Sequence, residues 1–236
     1  MNASEDLLYE LFAGRYEFLV LIGVVVFSLL CSLGVKTTFA KYNRVRTQGG
    51  ETAAEIARKI LDMNGLYNVQ VVHVAGNLTD HYDPRTNTVA LSDTVFSSPT
   101  VGAVGVAAHE CGHAVQHAVG YVPIKIRQAV FPVVNICSML WVYVLLAGFL
   151  FQWLGLIQLG ILFYAVVVFF QLVTLPVEFN ASGRALRTLR DNAILTGGEL
   201  DGARKTLTAA AMTYIASFLS SLVQLLRLVM SSRRRS

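Results

Sequence analysis

The chain has 236 residues, 54% of them apolar and only 14% charged. A water-soluble globule carries about a quarter charged residues, so the balance excludes an ordinary soluble domain and points to a membrane protein. The length fits one domain, residues 1–236. The net charge of +4 is accounted for by basic residues flanking apolar runs, so nucleic acid is not an expected partner.

Residues 18–35 contain no charge and are long enough for one spanning helix. The segment before them is acidic (Glu5, Asp6, Glu10, Glu17 against Arg15), and no small-residue cleavage site follows. The run therefore reads as a retained anchor and not as a signal peptide. Lys36, Lys41, Arg44 and Arg46 come next, which by the positive-inside rule puts the N-terminus outside and residues 36–127 in the cytoplasm.

Within the cytoplasmic part, residues 50–127, Glu51 to Asn64 reads as an amphipathic helix. Ala53, Ile56, Ala57, Ile60 and Leu61 form its apolar face, and Asn64-Gly65 stops it. Val69 to Ala75 reads as a strand, Asp83-Pro84-Arg85-Thr86-Asn87 as a turn, and Thr88 to Leu91 as a second strand. The pattern predicts a small β-hairpin. Thr88–Leu91 is also a candidate edge for pairing with an extended substrate. Ser97-Ser98-Pro99 then opens a helix running to about Val119. Its first half, Val101 to Ala108, is all Gly, Ala and Val and permits close packing.

Residues 128–177 are free of charge, enough for a hairpin of two spans at 131–151 and 156–175, with Trp153 as an interfacial anchor at the turn. Pro176 opens a polar helix, residues 176–205, interrupted at Gly197-Gly198. Residues 206–230 form either a fourth span or an amphipathic helix. Thr213, Ser217, Ser220, Gln224 and Arg227 make a polar stripe, and Arg233-Arg234-Arg235 would lie outside after a crossing, so an interfacial or packed helix is expected. Cys31 and Cys137 fall in spans and Cys111 in the motif helix, so no structural disulfide is expected.

The chemistry is concentrated in His109-Glu110-Cys111-Gly112-His113. Two histidines four apart on a helix project from one face to a common point, as a tetrahedral metal requires, and the intervening Glu110 is placed to act on a water. Zinc would lower the pKa of that water to about 7 and polarise a peptide carbonyl. Glu110 would take the proton as general base and pass it to the leaving amine. His117, a turn further on, cannot join both histidines on one ion from a straight helix. Only four carboxylates follow His113: Glu178, Asp191, Glu199 and Asp201. Glu178, just beyond the membrane hairpin, is the best candidate for the third ligand. Leu200-Asp201-Gly202 resembles the signature of site-2-type intramembrane proteases, but its polar surroundings suit a helix start better.

Three stretches carry a wider resemblance. They are Asn77-Leu78-Thr79-Asp80-His81-Tyr82-Asp83-Pro84-Arg85, Val106-Ala107-Ala108-His109-Glu110 through Gln116, and Leu175-Pro176-Val177-Glu178-Phe179-Asn180-Ala181-Ser182. In this order they resemble the YugP-type family of membrane zinc metallopeptidases, over about residues 42–214. The resemblance implies a mainly α, multi-pass protein of the bacterial cell membrane, with three transmembrane helices or four and a zincin-like cytoplasmic core. It further implies a gluzincin-like site with one zinc per chain, His109, His113 and Glu178 as ligands and Glu110 as base. The related membrane gluzincins carry a supporting Asp four residues after the ligand Glu. This chain has Ser182 there, which leaves a supporting role open between Ser182 and Asn180. His81, Tyr82, Arg184, Arg187 and Tyr214 are candidates for stabilising the oxyanion.

The expected function is a zinc endopeptidase acting on membrane-associated or misfolded polypeptide at the cytoplasmic face, with the bilayer as its other partner. The alternatives are a site-2-type protease using Asp201, whose motif helix would bury five polar residues in lipid at high cost, and a non-catalytic scaffold with a structural metal site.

Overall fold

The computed structural model describes residues 10–12 and 14–233; Glu5, Asp6, Arg234 and Arg235 lie outside the described residues. Among the described residues from Glu17 onwards, six helices and three strands follow one another: α1 Glu17–Tyr42, α2 Ala53–Met63, β1 Gln70–Val74, β2 His81–Asp83, β3 Thr88–Ser92, α3 Val101–Ala118, α4 Val122–Leu150, α5 Leu154–Asp191 and α6 Gly197–Arg233. Their contacts divide the chain into two compact units. One comprises residues up to Cys31, Ile126–Leu175 and Thr213 onwards; the other comprises Ser32–Lys125 and Pro176–Met212.

The first unit contains the apolar lengths of α1, α4, α5 and α6, four helices long and apolar enough to cross a membrane. Large apolar side chains such as Phe18, Leu30, Tyr143 and Leu150 are more than half exposed. Such a surface is stable only against lipid or a partner. Small residues bring α4 and α5 together: a Cβ at Gly148 or Gly160 would collide with Ile157 or with the Leu145 backbone. Trp141 stacks on Tyr164 with ring centroids 4.4 Å apart. Helix α6 is bonded to α1 twice, through Ser28 and Ser220 at 2.9 Å and through the ion pair of Glu17 with Arg227.

The second unit contains a compact hydrophobic core. Helix α2 buries the five residues its periodicity predicts. Thr52 and Glu55 close its N-terminus as a reciprocal capping box, which satisfies two otherwise orphaned backbone N–H groups. That face packs on Val101, Val104, Ala107, Ala108, Cys111 and Ala114 of α3, with Leu189 of α5 and Ala203 of α6 completing the cluster.

The sheet corrects the expected pairing. Its order is β1-β3-β2, with β1 parallel to β3 and β2 antiparallel to it. The hairpin around Asp83–Asn87 is therefore made by the three-residue strand His81–Asp83 with β3, and not by Val69–Ala75. Asp80 secures the crossover by accepting the N–H and hydroxyl of Ser92 at 2.7 and 2.9 Å. Because β3 is paired on both sides and almost wholly buried, it offers no edge to a substrate.

The segment after the membrane hairpin is also corrected. The helix does not begin at Pro176: α5 passes through that proline and ends at Asp191. Proline removes one helical hydrogen bond, the one to Leu172 O, and is accommodated where neighbouring elements hold the chain in place. Here Gln116 donates to Val177 O at 2.8 Å and Tyr121 to Pro176 O at 3.5 Å. The break comes at residues 192–196, where Ala193 takes a positive φ of 52°, and α6 then runs unbroken from Gly197.

Candidate metal centre

The site grows from one close approach. Gly112 sits against α5 so tightly that an added Cβ would lie 2.7 Å from the carbonyl oxygen of Ala181. Only glycine allows the two backbones to meet there. That contact places Glu178 and Ser182, on either side of Ala181, opposite the histidine face of α3.

Across it, His109 Nε2 lies 3.1 Å from His113 Nε2 and 3.2 Å from Glu178 Oε2, and His113 Nε2 lies 3.6 Å from the same oxygen. The imidazole rings stand almost perpendicular, at 86°. Bonds of about 2.0–2.1 Å to a tetrahedral zinc imply a ligand-to-ligand edge of about 3.3–3.4 Å. Three donor atoms with these separations, two soft nitrogens and one carboxylate oxygen, fit that ion. Among the described residues, His109, His113 and Glu178 form the group that could hold a metal.

The other ring nitrogens are held. His113 Nδ1 donates to Gln116 Oε1 at 3.0 Å, and His109 Nδ1 lies 3.1 Å from Ser182 Oγ. With Nδ1 donating, each Nε2 keeps a lone pair aimed into the cluster, the arrangement by which outer partners orient metal-binding histidines. Gln116 is fully buried; its amide also donates to Asn180 Oδ1 at 3.0 Å, which in turn accepts Arg184 Nε at 2.8 Å. Ser182 thus touches a histidine of the cluster directly, and Asn180 reaches one through Gln116.

The electrostatics favour a cation. Burial alone would press the His113 imidazole towards neutrality, yet its bond to Glu178 and the charges of Glu110 and Glu178 raise its pKa. Glu110 is 8% exposed, and no hydrogen bond reaches its carboxylate from the described residues. Cys111 faces the other way, 3.5 Å from Ala57 O; burial, then the charge of Glu110, pushes its thiol up, so it stays protonated and inert.

The remaining candidates are dispersed. His81 is exposed on β2 and bonded to Thr79 O at 2.9 Å. Tyr82 reaches His117 Nδ1 at 3.2 Å, which ties β2 to the motif helix one turn past His113. Burial, then the charge of Asp83, raises the Tyr82 pKa and keeps its hydroxyl protonated. Arg187 is exposed and Tyr214 belongs to the first unit. Asp201 is exposed in the opening turns of α6 and takes no part in the cluster. Sequence reasoning missed Gln116. Its signal was its position three residues after His113, on the same face of α3.

Four long apolar helices and a buried His-His-Glu donor set define a membrane-type chain with a candidate metal site. A family described as “Putative neutral zinc metallopeptidase” matches residues 17–233, and the chain belongs to that family, which implies zinc as the ion. The chain is also 48% identical over 196 residues to the Bacillus subtilis (strain 168) protein named “Putative membrane protease YugP”, covering 83% of this chain and 87% of that one. No solved structure matches it.

Proposed function

We propose that the chain is a zinc-dependent endopeptidase of the bacterial cytoplasmic membrane, one multi-pass domain holding one zinc in a gluzincin-like site on the cytoplasmic side. Its substrates are membrane-associated or misfolded polypeptides. The observation that carries this reading is the convergence of His109 and His113 with Glu178, 69 residues beyond His109 along the chain, beside an uncommitted buried carboxylate.

His109, His113 and Glu178 would hold the ion. When bound, zinc supplies Lewis acidity that polarises a peptide carbonyl and makes a water acidic near neutral pH. Glu110 accepts the proton of the water as its oxygen bonds to the carbonyl carbon. As the C–N bond breaks, Glu110 delivers that proton to the amine nitrogen. Gln116 and Ser182 keep both imidazoles in the tautomer with Nε2 free. Since β3 is covered on both sides, an extended substrate would add to the open edge of β2, which Tyr82 and His117 hold beside the motif helix.

Bound zinc and cleavage of casein, measured on the detergent-purified protein, test this reading. Glu110→Gln keeps zinc and loses cleavage by about 10²–10⁴-fold; Glu178→Ala loses zinc. Full cleavage by Glu110→Gln would remove Glu110 from the role of base, and bound zinc without cleavage in the unaltered protein would leave only a metal-bearing scaffold. Loss of zinc in Asp201→Ala but not in Glu178→Ala would transfer the site to the intramembrane-protease arrangement.

A further inference from the structure

A cavity of about 230 Å³ lies within the second unit, between α2, α3 and α5. Ala108 and Gly112, the residues immediately before His109 and His113, form one wall, so the cavity runs along the flank of the motif helix and not through the histidine cluster. Its polar groups come from Asn64 at the end of α2, from Arg184, Arg187, Thr188 and Asp191 of α5, and from Asn192 just beyond it.

The charges lining it are not balanced from within. Asp191 is already engaged by Arg190 at 2.8 Å. Arg184 commits only its Nε, to Asn180, which leaves the four other N–H groups of its guanidinium. Arg187 forms no ion pair or hydrogen bond among the described residues. Residues three apart on a helix are surface neighbours, so two like charges there repel unless an anion sits between them. Planar guanidinium forks match the oxygens of a phosphate two at a time. The volume falls below the roughly 300–1,000 Å³ of pockets that take drug-sized ligands, which favours a small ion over a peptide segment.

We propose that this cavity is a binding site for a small oxyanion of the phosphate class, held by Arg184 and Arg187 with Thr188 as a neutral donor. The phosphate could come from solution or from a lipid headgroup, and the proposal stands independently of the peptidase reading. To test it, the full chain in detergent is titrated with inorganic phosphate at constant ionic strength, with binding followed by calorimetry and thermal unfolding. The expected result is saturable binding that raises the melting temperature and weakens by about tenfold or more in Arg187→Gln, a substitution at an exposed position. Arg187→Lys, which keeps the charge but not the fork, should fall between the two. The same titration in nanodiscs separates the sources. Phosphatidic acid added to phosphatidylcholine discs abolishes phosphate binding if the headgroup fills the site, and leaves it unchanged if the site takes phosphate from solution. Absence of saturable binding in detergent, or equal affinity in Arg187→Gln, overturns the proposal.

Discussion

At the scale of single residues, the candidate centre depends on hydrogen bonds one layer out from the ion. Gln116 is buried and serves three partners at once: His113, Val177 and Asn180. Replacing it with leucine leaves His113 Nδ1–H without an acceptor and frees the ring to rotate. Ser182→Ala removes the equivalent partner from His109. Each substitution should lower zinc affinity by about 10–100-fold while leaving the three donors in place, as measured by competition with a chromophoric chelator. The two histidines were legible because helical spacing alone sets their common face. Glu178 was legible because few carboxylates follow His113. Gln116 was not, since a buried glutamine announces itself only through the partners that surround it.

At the scale of elements, the decisive contact is that of α3 with α5. Gly112→Ala would place a methyl 2.7 Å from Ala181 O and 3.3 Å from the Ala181 carbonyl carbon and Cα, backbone atoms that can yield only if the helices separate. The expected cost is about 1–3 kcal/mol of stability. Zinc affinity should fall with it, because Glu178 and Ser182 move with Ala181. Gly183, also on α5, has nothing within 4 Å of its missing Cβ. Gly183→Ala should therefore retain zinc and gain about 0.5–1 kcal/mol from helix propensity. Comparing melting temperature and zinc content of the two variants separates a steric contact from a general effect of alanine. Which elements exist was mostly readable from periodicity and charge-free runs. Their pairing was not: β1 lies beside β3 by a crossover that no turn motif signals, and Pro176, a stop signal locally, sits inside α5, where Gln116 and Tyr121, distant in sequence, bond the carbonyls of Val177 and Pro176.

At the scale of the whole molecule, the open point in the sequence was α6. Its stripe of Thr213, Ser217, Ser220, Gln224 and Arg227 suggested a helix lying at the membrane surface. The stripe has another cause, since Ser220 bonds Ser28 and Arg227 pairs with Glu17, both on α1. These two links run in opposite chain directions, so within the first unit α6 lies antiparallel to α1. If α1 enters from outside, α6 leaves towards it as a fourth span, and its C-terminal end returns to the side of Glu17. The basic end of α6 runs against the positive-inside tendency, but the Lys36–Arg46 cluster after the first span dominates orientation. Ser231→Cys, in a chain with Cys31, Cys111 and Cys137 replaced, should therefore react in intact cells with a maleimide that cannot cross the membrane. Labelling only after the cells are opened would place that end, and Glu17 beside it, in the cytoplasm, and would reverse the orientation read from the Lys36–Arg46 cluster.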